Sequence, residues 1–95
     1  MSDASTQTIT GNLTFDTAPE LLAQSQSWFG AGAAQIVVDL AAAGRTDSAG
    51  IALLLEWIEM SRRQGLQIRF TNLPSQLREF IDANDLGTLF RQYTA

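Results

Sequence analysis

Asp39, Arg45, Asp47 and Ser48 lie close together in the chain and are the side chains whose types and spacing could do chemistry. Asp39 and Asp47 bracket a short loop, and paired carboxylates at one edge of a sheet are raw material for acid–base work. A serine beside them would be the nucleophile. The rest of the sequence argues against both uses. The 95 residues include no histidine and no cysteine, which removes the commonest general base and the commonest metal ligands. Disulfide and thiolate chemistry go with them. Ser48 is followed by a single nearby glycine, Gly50, and forms no G-x-S-x-G elbow. A strand-end turn and a helix cap account for Asp39 and Asp47, so no catalytic residue, cofactor or metal site is expected.

Charge narrows the partners. The formal charge is −4, the pI is near 4.4, and the chain has no lysine. Phosphate backbones are held by clustered Lys and Arg, and only Arg62-Arg63 is clustered here, so nucleic acid is not expected. Direct insertion into a membrane is not expected either, because no apolar run approaches the roughly 18 residues that span a bilayer. Met1–Thr8 lacks the pattern of a signal peptide. A protein of the cytoplasm is the expectation.

The elements that position these residues are legible from periodicity. Gln7–Phe15 reads as two short strands joined by a turn at Gly11-Asn12, with residues 1–6 flexible ahead of them. Thr17 and Glu20 have capping-box spacing and Pro19 suits a first turn. The helix they open carries Leu21, Leu22, Ser25, Trp28 and Phe29, with Trp28-Phe29 read as core, and stops at Gly30. Ile36–Leu40 is a β-branched run that fits a strand buried on both faces. Ala41–Thr46 reads as a loop of small residues. From Ser48 to about Gln64 the pattern is helical, with Ile51, Leu54, Leu55 and Ile58 on one stripe. Arg62, Arg63 and Gly65 suit its C-terminal end. Gln67–Thr71 alternates as a strand, Pro74 opens a further helix with Leu77, Phe80 and Ile81, and Leu86, Leu89 and Phe90 form a last turn or short helix. This order predicts one α/β domain over 1–95: a mixed, largely parallel sheet of about four strands with three to four helices.

Two features bear on function. Asp47 or Ser48 caps the long helix, but Gly50 and Ile51 stand where a Glu would complete a capping box. Backbone N–H groups there are left for solvent, an anion or a partner, and Ala49 and Gly50 allow another backbone to approach. The plain reading, an ordinary cap, stands beside this one. The helix also carries a second stripe, Leu53, Trp57 and Met60. It either packs under the neighbouring helix or faces a partner, with Glu56 and Glu59 as an acidic rim.

Taken together, Val37–Leu40, Asp47-Ser48-Ala49-Gly50-Ile51, Arg62–Gly65, Gln67–Phe70 with Asn72-Leu73, and Leu86–Phe90 resemble the STAS domains. That family includes anti-sigma factor antagonists, anion-transporter tails and an accessory subunit of a bacterial lipid-transport ABC complex. Antagonists of the family read D-S-S-G and are phosphorylated on the second serine, whose place Ala49 takes here. Arg45 ahead of Asp47-Ser48, with Ile51–Leu55 after it, is more similar to the accessory (MlaB-like) subunit of Mla-type phospholipid transporters. The resemblance implies a STAS-like (SpoIIAA-like) fold and a non-catalytic subunit that binds the transporter's cytoplasmic ATPase, peripherally attached to an inner-membrane complex. It places the partner-binding surface at Arg45, Thr46, Asp47, Ser48, Ala49, Gly50, Leu53 and Trp57. The alternative it leaves is an anti-sigma factor antagonist, bound by an anti-sigma kinase, with Ser48 as phospho-acceptor.

Overall fold

A computed structural model of the chain describes residues 4–30 and 32–94. Its strands are β1 (Ala4–Thr8), β2 (Gly11–Leu13), β3 (Gln35–Asp39), β4 (Ala43–Thr46) and β5 (Gln67–Thr71). Its helices are α1 (Ala18–Phe29), α2 (Ser48–Gln64), α3 (Ser75–Ala83) and α4 (Gly87–Arg91).

All pairings between the described strands are parallel. β1, β3 and β5 form one sheet in that order, with Thr6, Val37 and Arg69 in one register row and Gln7, Val38 and Phe70 in the next. β2 pairs with β4 in a second sheet. Residues 4–13 thus run beside residues 35–46 as one long parallel contact with a break in the middle. Gly11, at φ +87°, supplies the bend that no other residue type adopts cheaply.

Four expectations are corrected. The turn expected at Gly11-Asn12 falls inside β2, and the first strand begins at Ala4, within the stretch 1–6 and ahead of the expected start at Gln7, so β1 and β2 are successive pieces of one edge. Met1–Asp3 of that stretch lie outside the described residues. The loop Ala41–Thr46 contains a strand, because Gly11–Leu13 offers Ala43–Thr46 a ladder partner that local sequence cannot reveal. The sheet is wholly parallel among the described strands rather than mixed. β3 is not buried on both faces: Ile36 and Val38 are fully buried, while Gln35, Val37 and Asp39 are half-buried.

Helix α2 organises the core. Ile51, Leu54 and Ile58 are buried on one stripe, with Leu55 packed partly against the cluster. Leu53, Trp57 and Met60 are buried on the other. Trp57 meets Trp28 of α1 with ring centroids 5.0 Å apart and donates its indole N–H to Ser25 Oγ at 2.7 Å. An amphipathic helix with two apolar stripes can sit against two neighbours at once, and the second stripe packs under α1. Gly65, left-handed at φ +72°, closes the helix with N–H bonds to the last carbonyls. Phe90 of α4 packs on Phe70 at 6.4 Å, and the Phe70 N–H donates to Tyr93 O.

Candidate functional site

The start of α2 is built on the ends of β4 and β2. The Asp47 N–H and the Thr46 hydroxyl both donate to Leu13 O, at 3.1 and 3.3 Å. The Thr46 N–H donates to Gln76 Oε1 of α3 at 2.9 Å, and the Arg45 N–H donates to Asn12 Oδ1 at 2.9 Å. Thr46 is therefore buried and structural, whereas the Arg45 side chain is exposed.

Asp47 is the cap. Its Oδ1 accepts from the Ala49 N–H at 2.8 Å and its Oδ2 from the Phe15 N–H at 3.2 Å. One carboxylate thus satisfies an orphan amide of α2 and pins the turn before α1. The plain reading of Asp47 holds, with a long-range bond added to it. Thr17, by contrast, makes no side-chain cap to α1. Its hydroxyl donates to Asn12 O at 2.6 Å and accepts from the Thr14 N–H at 3.0 Å, which stabilises the turn instead.

Ser48, the first residue of α2, is exposed, and its hydroxyl makes no hydrogen bond among the described residues. Ala49 and Gly50 are buried. A Cβ on Gly50 would lie 2.8 Å from Leu13 O and 3.1 Å from Leu13 Cβ, and closer still to Thr46 Oγ1. The backbone that approaches this glycine is the chain's own. Trp57 and Gly50 are likewise removed from the exposed surface: Trp57 is wholly buried in the seam with α1, and Gly50 is buried in the first turn of α2 against Leu13 and Thr46. Leu53 is 4% exposed.

Asp39 is held separately. Asn72, itself left-handed at φ 57°, donates its amide to Asp39 Oδ1 at 3.0 Å, and the Ala41 N–H donates to the same oxygen at 2.9 Å. These two bonds, the Asn72 bond first, hold the Asp39 carboxyl below its ordinary pKa. Asp39 and Asp47 have different partners and share no hydrogen bond.

Beside Ser48 lies a feature that the sequence reading missed. An open groove of about 590 Å³ runs between the N-terminal halves of α1 and α2. Its walls are mainly apolar: Phe15, Ala18, Pro19 and Leu22 on one side, Ala49, Ala52 and Leu53 on the other, with Ser48 and Glu56 at the rim. Phe15 is 71% exposed, the most exposed large hydrophobic among the described residues. Its signal in sequence was a Phe inside the polar turn Thr14–Thr17, on no apolar stripe. The arrangement presents an apolar surface next to a free hydroxyl at a helix N-terminus. It suits binding a macromolecular surface better than enclosing a small polar substrate.

No curated protein matches the chain significantly in sequence. Among solved structures, it is similar to a sulfate transporter family protein from Wolinella succinogenes, with a TM-score of 0.77 at 13% identity, covering 97% of this chain and 75% of that one. The unphosphorylated form of the anti-sigma factor antagonist SpoIIAA gives a TM-score of 0.75 at 16% identity, covering 100% and 80%. The murine anion transporter Slc26a9 gives 0.84 at 16%, covering 99% of this chain but only 16% of that one. At such identities the likeness is one of fold. In sequence, the family described as "Mlab, STAS domain" matches residues 2–91, nearly the whole chain, and the protein therefore belongs to the STAS-domain family.

Proposed function

We propose that this chain is a non-catalytic accessory subunit that binds the cytoplasmic ATPase of a bacterial ABC phospholipid transporter of the Mla type and supports its assembly and activity. The observation that carries the reading is the exposed Ser48 at the start of α2, set at the rim of an apolar groove. The family description supports the choice of partner. On this reading Arg45, Asp47, Ser48 and Ala49 contact the ATPase together with Phe15. Thr46, Gly50, Leu53 and Trp57 act from beneath, by fixing where α2 begins and how it lies on α1. The protein then works in the cytoplasm, held at the inner membrane through its complex.

Affinity capture with the ATPase encoded beside this gene tests the reading. Retention of that ATPase by the native chain, and its loss with Ser48→Glu at unchanged melting temperature, is the expected result. Failure of the native chain to retain it refutes the assignment.

One observation favours a second reading. The exposed Ser48 hydroxyl, without a hydrogen bond among the described residues, supports a phospho-acceptor role there, where the helix dipole would favour the added charge while a docked partner is displaced. SpoIIAA, similar in fold, is known in a phosphorylated form. An anti-sigma factor antagonist would gain one phosphate at Ser48 on incubation with its cognate kinase, read by intact mass. An unchanged mass removes this reading.

A further inference from the structure

The groove between α1 and α2 restricts what can fill it. Apart from Phe15 and the first-turn N–H groups of α1 and α2, the walls are helical backbone bonded within the helix, so the groove offers mainly side-chain contacts and no strand ladder. An incoming strand would leave its own N–H and C=O groups unpaired against such walls. A helix arrives with those groups satisfied and can lay an apolar face into a groove.

Charge narrows the choice further. Among the described residues, Glu56 is the only charged one lining the groove. Asp16 is exposed beside Phe15, Asp47 is bonded to the Phe15 N–H, and Glu59 is exposed one turn along α2 from Glu56. No arginine lines the groove, and the chain has no lysine. Arg63 reaches Glu56 at 3.2 Å, but the two side chains are 60% and 45% exposed. Such a pair is worth little in water, so an incoming cation can compete for Glu56. Arg45 stands apart on β4, outside the lining residues.

We propose that this groove takes an amphipathic helix of a partner protein, its apolar face against Phe15, Leu22 and Ala52 and its flank carrying Arg or Lys toward Asp16, Asp47, Glu56 and Glu59. The inference rests on the docking reading above and adds the shape and charge of the docking element.

Two synthetic helical peptides test it. They share one apolar stripe of Leu and Phe and differ only in flanking residues, Arg and Lys in one and Glu in the other. Titrated into isotope-labelled protein, the cationic peptide should shift the amides of Phe15, Ala18, Leu22, Ser48 and Ala52. It should bind about tenfold or more tightly than the acidic one, an advantage that added salt erodes. Phe15→Ser should weaken the cationic peptide by about tenfold with no change in melting temperature, as truncating an exposed aromatic anchor does. Equal binding of the two peptides, shifts centred elsewhere on the fold, or closure of the groove by a second copy of the chain in sedimentation would each overturn the inference. If the ATPase is retained while the two peptides bind alike, the helix inference falls and the docking reading stands. If the cationic peptide seats in the groove while the ATPase is not retained, the reverse holds.

Discussion

Gly50→Ala adds one methyl group where α2 crosses the end of β2. The new carbon would sit 2.8 Å from the Leu13 carbonyl oxygen and 3.1 Å from Leu13 Cβ. It would also press on the Thr46 hydroxyl, which donates to that same carbonyl at 3.3 Å. The Leu13 carbonyl cannot swing aside, because it also accepts from the Asp47 N–H at 3.1 Å, and Leu13 itself is fully buried. Overpacking of this kind costs about 1–3 kcal/mol. Alanine returns up to about 1 kcal/mol through its better helix propensity. The net expectation is a loss of about 1–2 kcal/mol, which for a domain of this size lowers the melting temperature by roughly 5–15 °C. Thermal and urea unfolding followed by circular dichroism measure both quantities. Well below its own melting temperature the variant should still capture the partner, since Gly50 is buried. A Gly50→Ala chain as stable as the native one would refute the close-approach argument. A stable variant that no longer binds would show that the glycine makes room for a partner's backbone instead of the chain's own.

Other expectations follow from the same geometry. Ser25→Ala leaves the buried Trp57 indole N–H without its acceptor and should cost about 1–3 kcal/mol in urea unfolding. Combined with Trp57→Phe, the two losses should sum to less than their separate values, and strict additivity would show that the bond is not made. Ser48→Glu should leave melting unchanged or slightly raised, since an acid in the first turn suits the dipole, while partner capture is lost; equal losses of both would return Ser48 to a structural role. Asp39, held below its ordinary pKa by Asn72 and then by the Ala41 N–H, stabilises the fold above its unfolded-state pKa. That contribution is lost as pH falls through the lowered folded-state pKa. Asp39→Asn should therefore reduce stability at neutral pH and flatten the acid side of the stability–pH curve, and an unaltered acid side would refute the assignment.

The sequence by itself determined where α2 and β5 lie, because a period of 3.6 bounded by an Asp or Ser cap and a Gly stop, and a strict alternation, are local patterns. It also singled out Arg45 to Gly50 as the candidate stretch, since these residues are contiguous and join a strand to a helix. The absence of histidine and cysteine shaped the expected chemistry before any fold was known. What it could not decide was long-range. Whether Ala43–Thr46 is a loop or a strand depends on residues 11–13, some thirty positions away, and short-range propensity is silent on that pairing. Whether the Leu53–Trp57–Met60 stripe faces a partner or the interior depended on α1, whose Ser25 and Trp28 take Trp57 into the core. The same docking of α1 on α2 leaves Phe15 outside and opens the groove. The cap at Asp47 was legible, but its second bond, to the Phe15 N–H, was not. That bond sets an exposed aromatic beside Ser48, and only tertiary packing could bring the two together, because they are far apart in the chain and share no pattern within it.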